Sequence, residues 1–239
     1  MSEAANANDN DERYSWLSLQ LLLDSALPIG SFAHSYGLES LVQDGAVRDA
    51  ATLRRYLMGM LRHAWATSDL MVVKAVYVSA ERDDPSYAYE IERLAHLQRL
   101  GRETREGMEK TGKRLLKLAP ALFPDVPVAP LAEAVQAGRC YGTHPIAFGV
   151  LCRGLGVPLG RAAEGYLYAC ASTGVNAALR LMSMGQTEAQ RVLASLFPEM
   201  AACWRAVKEM DPADAYAAMP LAELAMIRHE RLYSRLFMS

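Results

Sequence analysis

The chain has 239 residues, of which 51% are hydrophobic, and a formal net charge of −2. That length buries one full core or at most two small ones, and one domain is the expectation. The near-neutral balance lacks the basic stripe that nucleic acid or anionic lipid would require, so the expected partners include no nucleic acid and no membrane.

In chain order, the first twelve residues are rich in Asn, Ala and acid, without the basic and apolar regions of a secretory signal. Residues 1–13 are expected to form a disordered tail, and residues 14–239 a single domain. The apolar run Leu21-Leu22-Leu23 leads to Leu27-Pro28-Ile29-Gly30, where Pro fixes φ and Gly permits φ > 0, so a sharp turn is expected. Phe32, His34 and Tyr36 follow that turn and suit a shaped contact surface.

Leu53, Tyr56, Leu57, Met60, Leu61 and Ala64 recur on one stripe of a helix. No turn separates them from the strand-like run 71–78, so the helix is expected to continue to about Ala80 and to break at Glu81 through Ser86. Residues 87–118 are polar but helical in period, with Gly101, Gly107 and Gly112 as places of bending or interruption. Pro120, Pro124, Pro127 and Pro130 then punctuate a connector that is expected not to be helical. The segment 131–137 and a turn around 138–145 follow, and then a short apolar helix is expected over 146–155. The longer one along Tyr166, Leu167, Cys170, Thr173, Gly174, Ala177 and Leu181 has a small-residue face suited to the centre of a bundle. Residues 191–210 are helical with a kink or split at Pro198, and Pro220 can start a final helix. Leu232, Tyr233, Leu236 and Phe237 should form apolar turns among Arg228, Arg231 and Arg235. No paired strands can be drawn, so the fold class is all-α, a single-domain helical bundle. The charge-free stretch 165–179 is shorter than a membrane span and reads as a buried helix in a cytoplasmic protein.

Most catalytic chemistry is rejected on spacing. Gly107 to Arg114 comes within one residue of a phosphate-binding loop, but Arg114 stands where the Mg²⁺-binding hydroxyl belongs and no buried strand precedes it. Cys140, Cys152, Cys170 and Cys203 include no Cys-x-x-Cys pair, and His34, His63, His96, His144 and His229 lack ligand spacing, so no metal or cofactor is expected. Ser25, Ser31 and Ser35 form no nucleophile elbow, and Asp83-Asp84 sits in a solvated connector. What remains suits contact: Phe32, His34 and Tyr36, and the C-terminal Tyr233, Arg235 and Phe237, aromatics and arginines being the residues that dominate interfaces. Phe32, Leu236 and Phe237 fit a core equally well. A helical enzyme built on His34, Tyr36 and a distant carboxylate, and a generic helical adaptor, are the competing readings.

An ordered set of motifs gives a family resemblance: Leu-Pro-Ile-Gly-Ser-Phe-Ala-His-Ser-Tyr-Gly-Leu-Glu from Leu27, Arg102 to Leu116, Thr-His-Pro-Ile-Ala-Phe-Gly-Val from Thr143, Tyr-Leu-Tyr-Ala from Tyr166, the segment from Gly185, and the closing Arg-His-Glu-Arg-Leu-Tyr-Ser-Arg-Leu-Phe. In these the chain resembles the UreF family of urease accessory proteins. It departs from the family pattern at Ser31, Thr111, Ser183 and Ala189, none of which removes a charged or aromatic contact residue. The resemblance implies an all-α protein, often a homodimer, with no catalytic centre or metal site of its own. Such a protein docks on UreD (also called UreH), recruits the GTPase UreG and assists GTP-dependent nickel insertion into apo-urease, with regulation of the GTPase as a further expectation. It places Phe32 and Arg235 toward the GTPase and the rest of the tail against UreD.

Overall fold

The structure, a computed structural model, describes residues 14–237, and the tail expected at 1–13 lies outside them. The helices in chain order are α1 (14–23), α2 (Leu38–Gln43), α3 (Ala50–Met60), α4 (Leu70–Glu81), α5 (Pro85–Gln98), α6 (Arg102–Leu122), α7 (Ala129–Gln136), α8 (His144–Gly154), α9 (Leu159–Leu181), α10 (Gln186–Ser195), α11 (Phe197–Val207) and α12 (Pro220–His229). No strand occurs among the described residues, and the all-α single-domain expectation holds.

Helix α9 is the axis of the bundle, packed against α2, α3, α4, α8, α10 and α11. Its buried face is built from Ala162, Ala163, Gly165, Ala171, Gly174, Ala177 and Ala178 around Tyr166, Leu167 and Val175. Small side chains let neighbours approach the backbone: a Cβ added at Gly174 would press into the Leu57 side chain, and one at Gly165 would meet Leu19 and Leu23. Phe148 and Leu57 are each fully buried against this axis. At about 1.5–3 kcal/mol apiece, such residues outweigh any surface ion pair, worth about 0–1 kcal/mol.

The expected long helix through residue 80 is continuous, but its middle is widened. Leu61–Asp69 is a π-helical stretch joining α3 to α4. The wider turn brings Trp65, Thr67, Ser68 and Asp69 all inward. There Asp69 pairs with Arg99, at the α5–α6 junction, and accepts the Tyr166 hydroxyl at 3.3 Å. A polar cluster therefore sits inside the bundle beside the apolar core.

Two expectations about breaks are corrected. Gly107 and Gly112 do not interrupt α6, and the helix runs through Pro120 to Leu122. Of the three glycines only Gly101 interrupts, as expected of it: the break falls at Arg99–Gly101, where the backbone turns extended between α5 and α6. The glycines inside α6 serve contact. A Cβ at Gly112 would land on the Gly142 carbonyl oxygen and the Thr143 backbone. Those residues form the turn that starts α8, and the turn is itself held by Glu92, whose buried carboxylate accepts the Tyr141 and Thr143 N–H groups at 2.9 Å each. Pro198, as expected, splits the late helical region, standing in the first turn of α11.

Because the obstacle at Gly112 is backbone fixed by Glu92, it cannot swing aside as a side chain would. Gly112→Ala is expected to destabilise the fold by roughly 1–3 kcal/mol despite its better helix propensity. In a thermal melt this corresponds to a loss of roughly 2–12 °C for a chain of this size. An unchanged melting temperature would show that the α6–α8 contact is loose.

Candidate partner-docking face

Helix α12 ends at His229, and residues 230–237 leave it as a non-helical tail, not the apolar turns expected. The tail stays on the bundle because two helices offer it carboxylates. Glu39 on α2, only 2% exposed, accepts the Leu236 N–H at 2.7 Å and the Phe237 N–H at 3.1 Å. Glu103 on α6 accepts the Arg235 Nη1 at 2.6 Å. Between them lies His229, fully buried, with Nε2 2.8 Å from Glu39 Oε2 and Nδ1 3.2 Å from Glu103 Oε2. Burial pushes the Glu103 carboxyl up, but the hydrogen bonds and charges of Arg235 and His229 outweigh it and hold the group below its ordinary range. Phe237 closes the arrangement, its ring beneath the Arg180 guanidinium of α9 at 4.7 Å.

The loop before α2 is fixed to the same helix α6. Gly30 and Gly37 both have φ near +82°, a conformation glycine adopts at no steric cost. Gly30 also admits the Arg114 guanidinium, with which an added Cβ would collide. Gly107 does the same for the His34 imidazole. Tyr36 packs edge-on against Trp65 at 5.7 Å, and its carbonyl accepts the Tyr56 hydroxyl. Under the loop is a cavity of about 50 Å³ lined by residues including His34, His144, Met108 and Cys170. Burial, with His34 nearby, pulls the His144 pKa down to about 4, so this imidazole is neutral at physiological pH.

Loop and tail thus border one face of α6. Glu103, Lys110, Arg114 and Lys117 follow one another along it at helical spacing, over about 21 Å at 1.5 Å per residue. Lys110 is partnered by Glu106, whereas Arg114 and Lys117 have no carboxylate partner among the described residues. Of the six expected contact residues, three are presented here. Phe32 is 57% exposed on a short 3₁₀ turn, Tyr233 is fully exposed, and the Arg235 side chain is 40% exposed with one guanidinium nitrogen committed to Glu103. The other three are not. His34, Tyr36 and Phe237 are buried, and the expectation that they form the contact surface itself is corrected: they support the loop and tail from beneath.

Sequence reasoning gave no role to Glu39, Glu103 or Arg180, and read His229 as a hydrogen-bonded or surface histidine within the closing motif. The available signal was a carboxylate in the short apolar helix Leu38-Glu39-Ser40-Leu41, since a buried charge needs partners. The near-phosphate-loop lies inside helix α6, all four cysteines are buried, and burial pushes the Cys140 and Cys170 thiols up to about 11 and about 12. No group of three potential metal ligands occurs among the described residues.

A family model described as UreF matches residues 47–197. The chain is 36% identical over 223 residues to a urease accessory protein UreF of Arthrobacter sp. (strain FB24), covering 93% of this chain and 96% of that one. It is likewise 36% identical over 223 residues to one of Paenarthrobacter aurescens (strain TC1), at 93% and 97% coverage. A third, from Bacillus sp. (strain TB-90), is 31% identical over 93% of this chain and 98% of its own.

The lowered Glu103 carboxyl sets the acid limit of tail docking. Its contribution is present above the ordinary value of 4.5 and is lost only as pH falls through the lowered folded value. The tail is expected to stay docked as pH falls from 6.5 to the ordinary carboxyl value of 4.5 and to loosen only below it. Backbone ¹⁵N relaxation of residues 235–237 measures this, and loosening already at pH 5 would contradict the pairing.

Proposed function

The chain belongs to the UreF family of urease accessory proteins, and on that premise we propose that it acts in urease maturation as a docking component, not as a catalyst. In this reading it bridges UreD (UreH) and the GTPase UreG in the GTP-dependent insertion of nickel into apo-urease, in the cytoplasm and as a homodimer. The observation that carries the reading is the α6 face, where an exposed aromatic and an exposed arginine are held in fixed positions by buried residues. Phe32 and Arg235 are the contacts offered to UreG, with Arg114 and Lys117 giving that face a positive rim. Tyr233 and the remainder of the tail are the segment offered to UreD. The enzyme alternative on His34 and Tyr36 draws no support from this geometry, since burial raises the Tyr36 hydroxyl far above neutrality and its ring serves packing.

Deleting the gene from a urease operon is expected to abolish urease activity and nickel content while apo-urease still accumulates. Normal nickel loading in the deletion strain would end the maturation reading. At residue level, Arg235→Ala should leave the bundle folded and reduce capture of UreG by the UreD-bound protein. A buried, fully paired arginine contact would cost about 2–5 kcal/mol in binding, and a rim charge about 1 kcal/mol or less. Undiminished capture would exclude Arg235 as the contact. A free mutant melting several degrees lower would mean its pairing with Glu103 is structural.

A further inference from the structure

The π-helical stretch Leu61–Asp69 holds two parts of the molecule at once. Its side chains Trp65 and Asp69, each 1% exposed, meet the Tyr36 ring of the loop and the Arg99 guanidinium. Its backbone holds the segment before α12: the His63 carbonyl accepts the Ala218 N–H at 2.7 Å, and the Thr67 carbonyl accepts the Tyr216 N–H at 2.9 Å. Two residues of extended chain span about 6.6 Å and four residues of helix about 6 Å, so that segment lies along one helical turn. Met219 seats against Gly59 of α3, and the Ala215 carbonyl accepts the Gln98 Nε2 at 2.8 Å. Helix α12 then returns to the same neighbourhood, where Glu223 accepts the N–H of Leu100, the residue after Arg99, at 2.9 Å. These contacts close a ring that runs from Thr67 through Tyr216 and Glu223 to Leu100, and from Arg99 through Asp69 back to the π-helical stretch.

The Asp69–Arg99 pair is a costly way to close that ring. Both charges leave water, the Arg99 side chain being 11% exposed, and apolar residues of similar volume are often as stabilising in such a place. Tyr36, Tyr166 and Cys170 lie within electrostatic reach of Arg99 but stay neutral, since burial raises the two hydroxyls and the thiol. Asp69 is the one carboxylate at salt-bridge distance from Arg99 among the described residues. What the pair supplies beyond an apolar contact is direction, because a planar guanidinium and a carboxylate meet in few geometries whereas apolar groups slide past one another. We infer that Asp69 and Arg99 are positioning residues for partner docking: their pair fixes α12 and its tail relative to the loop, so that Phe32 and Arg235 are presented in one geometry. The consequence for docking rests on the reading above, in which Phe32 and Arg235 are the contacts; the ring does not.

The first test uses the full parent chain without partners. In native-state hydrogen exchange, the Tyr216 and Ala218 amides, the Leu100 amide and the loop amides of Ala33 and His34 should open as one unit, with a common denaturant dependence. Separate openings of the loop and of the segment before α12 overturn the inference. The second test uses the triple variant Asp69→Leu, Arg99→Met, Tyr166→Phe, which removes both charges and the hydroxyl bonded to Asp69, so that none of the three is left buried without its partner. The variant should melt close to the parent temperature while those amides exchange about tenfold faster, and capture of UreG by the UreD-bound variant should fall by about tenfold. Parent-like exchange overturns the inference. A far lower melting temperature overturns it too, because the pair then serves stability and not position. Faster exchange with undiminished capture would uphold the ring and refute the docking role assigned to Phe32 and Arg235.

Discussion

The Glu39 carboxylate is the point on which the site depends. A helical bundle satisfies its own backbone within each helix, but a non-helical tail brings N–H groups that need acceptors from elsewhere. Glu39 receives two of them from consecutive residues and a third bond from His229. Taking that carboxylate out of water is costly, and only a full set of donors makes its burial tolerable. The tail and the buried glutamate are therefore conditions for each other: without Leu236 and Phe237 the charge is under-satisfied, and without the charge those N–H groups have no acceptor.

The same device recurs across the molecule. Glu92 on α5 accepts the Tyr141 and Thr143 N–H groups and so fixes the entry to α8, while Glu223 on α12 accepts the Leu100 N–H at the α5–α6 break. In each case a helix-borne carboxylate captures the irregular backbone next to a functional element. These are not surface ion pairs of marginal worth. The Glu92 bonds remove orphaned donors of the buried or part-buried turn, whose desolvation otherwise costs about 1–3 kcal/mol, while the solvent-exposed Leu100 bond only steers the chain. The irregular segments gain rigidity this way without adding a strand or a disulfide, and a rigid segment loses less entropy when a partner docks on it.

The helical fold was legible because its information is local. A small-residue stripe such as Cys170, Gly174 and Ala177 announces a buried axis, and Pro198 marks a helix start by chemistry that needs no tertiary knowledge. What the sequence hid is whatever depends on a neighbour distant along the chain. The π-helical stretch Leu61–Asp69 has an ordinary helical pattern, and the partners its widened turn serves, Arg99 and Tyr166 at Asp69, lie far along the chain. Gly107 and Gly112 look like breakers until His34 and the Gly142–Thr143 turn are seen lying against them. The aromatic residues of the loop and tail were visible as unusual, yet their division into presented and buried members could not be read from their own types. Phe32 and Phe237 are the same residue with opposite fates, decided by the presence of Arg180 and Glu39 beside one of them.

That division explains how a compact chain can keep an apolar residue such as Phe32 exposed without losing its position. An exposed phenylalanine on a mobile loop would pay an ordering cost at each encounter and would also invite nonspecific association. Here the cost is met within the fold. Gly30 permits the turn, His34 seats against Gly107, and Tyr36 is locked over Trp65, so Phe32 is carried on a segment with few alternative conformations. The tail reaches the same condition by electrostatics instead of packing, through Glu39, Glu103 and His229. Two physically different anchors thus border one face of α6, and they respond to different perturbations: the packed loop to changes in volume, the charged tail to changes in proton concentration.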